Sequence, residues 1–236
     1  MAIGNIVEVI SLLTAVSGSL AAVIGIVVLE VFFRNKLKAL FEDVNYFIFF
    51  FMVSGYILYA LGEVSYYLSK KVLNDVSLVG IQDVYWTGGG VLILVSFIAL
   101  AVTLFKQHGG TAKFGTMAGI GAVLVVLVLG MLFGTGKSQP GYLFGYLYPL
   151  ISSLIVTFAS SVILFYNQLG SIARPLVLFL LSSGLILIGD IFFHYTYQSG
   201  GLTFGADIFY CLGYFLSAAA FLYFRISLHK AALEVR

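Results

Sequence analysis

Twenty consecutive residues, "GTMAGIGAVLVVLVLGMLFG" from Gly115 to Gly134, contain no charged side chain, and six further runs are nearly as apolar. A hydrocarbon core about 30 Å thick is crossed by roughly 20 apolar residues in helical form. In that medium each backbone N–H and C=O must be paired within its own segment, so every run is expected to be a helix. The seven runs lie near residues 8–33, 43–69, 83–105, 115–135, 145–167, 174–197 and 206–227. They and their short connections take up nearly all of residues 1–236, which reads as a single polytopic membrane domain. The fold class expected is all-α and integral to a membrane.

Composition excludes several functions. Charged residues make up 9% of the chain, against about a quarter in soluble domains, and no stretch is left for a soluble catalytic or nucleic-acid-binding domain. The net charge of +2 is spread over loops, so the bilayer, and not nucleic acid, is the expected partner. A lone Cys211 permits neither an intrachain disulfide nor a cysteine-only metal cluster. The first run lacks a basic leader and a small-residue cleavage site, and reads as a retained helix.

Lys and Arg are retained on the cytoplasmic side of short loops. Arg34, Lys36, Lys38, Lys106, Lys113, Arg174, Arg225, Lys230 and Arg236 fall on one side, and Lys70, Lys71 and Lys137 on the other. This asymmetry predicts a plasma-membrane protein with its N-terminus outside and its C-terminus in the cytoplasm. Pro140 and Pro149 are expected to flank the start of the fifth helix and Pro175 to begin the sixth, where a missing N–H costs little.

Four carboxylates interrupt the apolar pattern. Gly62-Glu63 precedes a loop and then Asp83-Val84-Tyr85-Trp86, with Gly89 six residues after the aspartate. Gly189-Asp190 precedes a loop of similar length and then Asp207-Ile208-Phe209-Tyr210, with Gly213 again six residues on. Residues 1–107 and 145–230 therefore read as two three-helix repeats, with 115–135 as connector. Because the connector crosses once, this 3+1+3 internal repeat is parallel. In the connector, Gly115 with Gly119 and Gly130 with Gly134 are spaced for close helix packing, within the chain or in an oligomer.

Asp83 and Asp207 each precede an apolar run, where a carboxylate accepts the orphan N–H groups of a first turn. Glu63 and Asp190 sit toward helix C-termini, where capping does not explain them, and ionisable groups in spans call for a partner or a role. Each half could pair its two acids, Glu63 with Asp83 and Asp190 with Asp207. His194 lies four residues after Asp190, so Asp190, His194 and Asp207 are a candidate divalent-cation site. The alternative for His194 is an interfacial side chain. Trp86, Tyr210 and their aromatic neighbours read either as an interfacial belt or as walls of an outward-facing pocket for a polar or cationic ligand.

The pattern Gly-Asp-x-x-aromatic followed by Ala-Asp-x-aromatic-Tyr-x-x-Gly-Tyr, here Gly189–Phe193 and Ala206–Tyr214, resembles the multi-helix membrane sensor regions that precede diguanylate cyclase and histidine kinase output domains. Here only "ISLHKAALEVR" follows the seventh run. The resemblance then implies a non-enzymatic sensing or partner-binding module whose output belongs to another signalling chain. The 3+1+3 layout is also similar to SWEET-type transporters, although no Pro-Gln pair marks a hinge. An intramembrane metal hydrolase needs more clustered histidines than His108, His194 and His229 supply. Retinal lacks a lysine in the seventh span for its Schiff base, and haem lacks paired histidines at depth.

Overall fold

The computed structural model describes residues 2–33, 40–73, 79–134, 143–198 and 204–234. Among them all regular structure is helical: α1 (Ala2–Phe33), α2 (Val44–Tyr66), α3 (Ile81–His108), α4 (Thr111–Gly134), α5 (Phe144–Ala159), α6 (Ala173–Gln198) and α7 (Phe204–Glu234). A π-helical turn, Tyr67–Val72, prolongs α2, and the short helix Ser161–Leu164 prolongs α5. Seven segments are long and apolar enough to cross a membrane, as the sequence predicted. Arg34, Lys36, Lys38, Lys137, Pro140 and Arg236 lie outside the described residues.

Local signals account for several helix ends. The Asp43 carboxylate accepts from the N–H groups of Asn45 and Tyr46 at 3.0 and 3.2 Å, satisfying two orphan donors of α2. Gly109 and Gly110 have φ of +66° and +117°, a backbone that only glycine adopts without strain. They turn the chain from α3 directly into α4. Pro149 departs from expectation: it lies inside α5, not beside its start.

Six helices form a ring. α1 packs on α2, α2 on α3, α3 on α5, α5 on α6, α6 on α7, and α7 returns to α1. α4 stands outside and rests mainly on α5. Rings from α2, α3, α6 and α7 fill the centre, with Tyr56, Phe97, Phe179 and Phe221 fully buried. The closest approach joins α2 to α3, where a Cβ on either Gly55 or Gly89 would stand 2.8 Å from the other's carbonyl oxygen. Between α6, α7 and α2 the contact is polar instead: Ser182 and Ser217 hydroxyls are 2.6 Å apart, and Ser217 is 2.6 Å from the Tyr56 hydroxyl.

The glycines of α4 pack differently from the sequence expectation. Gly115, Gly119 and Gly130 have no atom within 4 Å of an added Cβ, whereas one on Gly121 would meet the Thr157 methyl at 2.5 Å. Gly121 is thus where α4 seats on α5. Gly119→Ala should leave the unfolding midpoint in detergent unchanged or raise it, by up to about 1 kcal/mol of helix propensity. Gly121→Ala should lower it, since Thr157 is itself held by its hydroxyl on the Ser153 carbonyl at 2.7 Å.

Candidate functional site

Glu63 and Asp190 lie inside their helices, with the π-helical turn still to follow Glu63 and two further turns of α6 after Asp190. They therefore avoid the terminal carbonyls that made them look misplaced. All four acids are buried, Asp83 to 1% exposure and Asp190, the most accessible, to 7%. Separate positions among lipid headgroups are thereby excluded. A buried carboxylate must be hydrogen-bonded or paired, and each acid's donors identify its place in the ring.

Asp83 is the third residue of α3 and accepts the Gly80 N–H at 2.7 Å, so it does cap its helix. Its other oxygen receives the Tyr148 hydroxyl of α5 at 2.5 Å, which ties the two halves of the ring. Asp207 makes the corresponding tie at the other seam. Its carboxylate accepts from Ser11 of α1 at 2.7 Å, and its backbone carbonyl accepts from Thr14 at 3.0 Å.

Glu63 accepts from the Trp86 indole at 3.1 Å and the Tyr214 hydroxyl at 2.8 Å. Asp190 accepts from Ser152 at 2.5 Å and Tyr210 at 2.8 Å. Trp86 and Tyr210 each stand three residues after an aspartate, at matching positions. Each also packs on the glycine preceding the acid it serves: an added Cβ at Gly62 would lie 2.5 Å from Trp86, and at Gly189 2.6 Å from Tyr210. Glycine is required there so that the ring can lie flat against the helix and reach the carboxylate.

The two acids share one cavity of about 30 Å³, lined also by Tyr59, Trp86, Gly90, Tyr148, Ser152, Phe193, Tyr210 and Tyr214. That volume has room for ordered water. The four donors on Glu63 and Asp190 are all uncharged, so among the described residues no cation hydrogen-bonds to either acid. Tyr59, 6% exposed, also lines the cavity. A second, smaller cavity shares Tyr59, Ser152 and Ile186 with the first, and continues between Tyr56, Ile93, Ile155 and Ser183.

The two carboxylates that line one cavity are therefore Glu63 and Asp190, while Asp83, Asp207 and His194 are not among its lining residues. Among the described residues no three of His, Cys, Asp and Glu converge as a metal-holding group, so Asp190, His194 and Asp207 do not form the expected cation site. His194 has a structural partner. Pro149 has no N–H to offer the Gly145 carbonyl four residues earlier, and His194 Nδ1 donates to that oxygen at 3.0 Å. The ring is 1% exposed and stands edge-on to Tyr146, with centroids 4.9 Å apart.

Of the aromatic residues at this end, Trp86, Phe193 and Tyr210 line the cavity, whereas Phe192 is 45% exposed and belongs to the lipid-facing surface. Tyr59, Tyr148, Ser152, Tyr214 and Ser11 were not legible as site residues in the sequence. Their only signal is a hydroxyl inside an apolar span. Comparison with protein-family models, with curated proteins and with solved structures finds no match to this chain.

Proposed function

We propose that this chain is a non-enzymatic seven-helix membrane module of sensor or receptor type that binds a small cation between Glu63 and Asp190. The observation that carries the reading is the cavity itself, where two carboxylates whose hydrogen-bond donors are all neutral face one space beside Tyr59. Buried carboxylates of this kind are stabilised most by an added positive charge. Trp86, Tyr148 and Phe193 present ring surface to the same space, which favours an organic ammonium group over a fully hydrated metal ion. The outward orientation follows from the Lys and Arg asymmetry, and the signal would pass to a partner chain, as in the sensor regions that the sequence resembles.

We read the two acids as equivalent positions of a parallel 3+1+3 repeat. Glu63 with Trp86 matches Asp190 with Tyr210, and the seam of α3 on α5 matches that of α7 on α1. A ligand touching both acids would bias the relative position of α2 and α6, which carry them. Transport is the second reading. The smaller cavity beneath the first, edged by Ser152 and Ser183, extends the polar space toward the bundle centre.

The test is thermal unfolding in detergent with ammonium, methylammonium, choline and a panel of divalent cations. A ligand at a hundredfold its Kd should stabilise the wild type by about 2.7 kcal/mol, a midpoint rise of roughly 5–10 °C for a chain of this size. Glu63→Gln and Asp190→Asn should each abolish that rise. If no cation shifts the wild type, or both variants respond like it, the reading fails. Vesicle uptake of the stabilising cation would decide for transport.

A further inference from the structure

At the end of the bundle opposite the acid cavity, a groove of about 350 Å³ is lined by Tyr166, Arg174, Val177, Leu178 and Tyr223. Arg174 lies in the first turn of α6 and is solvent-exposed. Its guanidinium donates to the Tyr223 hydroxyl at 3.2 Å, and Tyr166 lines the groove beside it. Among the described residues no carboxylate lines the groove. Val177 and Leu178 follow one turn deeper along the apolar span that begins at Gly170.

We propose that this groove holds an anionic phospholipid, its phosphate on Arg174 and the two tyrosine hydroxyls and an acyl chain along Val177 and Leu178. Three features favour that occupant. The guanidinium presents several N–H donors in a planar fork suited to phosphate oxygens, and the Tyr223 phenol that accepts from it keeps its own O–H to donate. The N-terminus of α6 adds a positive dipole end. A soluble anion would use these groups but would leave the apolar floor uncovered, whereas a lipid covers both from within the bilayer. With the N-terminus outside, the groove faces the cytoplasmic leaflet.

Native mass spectrometry of the full chain in neutral detergent, titrated with phosphatidylglycerol or phosphatidylcholine, tests this directly. The wild type should retain phosphatidylglycerol in preference. Arg174→Gln should reduce that preference roughly fivefold, the effect of one basic side chain near an anionic surface. Arg225→Gln removes an exposed charge that does not line the groove and should leave the preference intact. Tyr223→Phe keeps the charge and should weaken retention, which preserves the test if Arg174→Gln does not fold. Equal loss in Arg174→Gln and Arg225→Gln would reduce the effect to net charge and overturn the proposal. So would equal retention of the two lipids by the wild type, or glycerol phosphate competing as well as the intact lipid.

Discussion

Gly89→Ala is expected to lower the unfolding midpoint in detergent by roughly 4–8 °C, and Gly213→Ala to leave it within a few degrees of the wild type. Alanine gains about 1 kcal/mol over glycine in a helix interior, so any loss must first exceed that. At Gly89 the new Cβ would stand 2.8 Å from the Gly55 carbonyl oxygen and 2.6 Å from Tyr59 Cδ1. A backbone oxygen yields only if α2 and α3 separate, which puts the cost at or above the upper end of the 1–3 kcal/mol typical of overpacking. At Gly213 the nearest backbone atom is the Ser182 oxygen at 3.3 Å, and the closer contact, at 3.0 Å, is with the Ile186 side chain, which can rotate. Separation at Gly89 would also carry Trp86 and Gly90 away from the cavity, so ligand-induced stabilisation should fall together with the midpoint. Equal midpoints for Gly89→Ala and the wild type would contradict the close approach of α2 and α3.

His194→Ala is expected to cost about 2–4 kcal/mol by itself, and less when Pro149→Ala accompanies it. The single substitution leaves the buried Gly145 carbonyl without its donor, at about 1–3 kcal/mol, and opens a space beside Tyr146. Alanine at 149 restores a backbone N–H able to bond that carbonyl within α5, so the imidazole is no longer needed to satisfy it. The double-mutant cycle should therefore show a coupling of about 1 kcal/mol or more in the direction of rescue. Additive costs would mean that His194 serves some purpose other than replacing the bond that Pro149 removes. The same measurement separates this structural role from metal ligation, because a ligand histidine would gain nothing from a change at Pro149.

The membrane class and the positions of the seven spans were legible because the bilayer imposes them on any chain. Apolar length and the need for internal backbone pairing leave a helix as the only form available to each run. The four acids were conspicuous for the same reason, since ionisable groups are rare in spans. Asp83 as a cap was legible too, because the relevant donor is Gly80, three residues away.

Which groups meet was not written locally. Glu63 shares its cavity with Asp190 and not with Asp83, because the ring places α2 and α6 across from each other, while α3 turns Asp83 toward Tyr148 of α5. Tyr59, Ser152 and Tyr214 look like ordinary hydroxyl-bearing residues of apolar helices until helix rotation aims them inward. His194 had a plausible ligand partner four residues away in Asp190, yet its actual acceptor is a carbonyl on α5 freed by Pro149. Hydropathy alone was enough to establish an all-helical membrane chain with four acids near one end of its spans. That two of those acids face one cavity emerges from the folded bundle, because hydrogen-bond partners between helices depend on rotation and neighbour order, which span hydropathy does not encode.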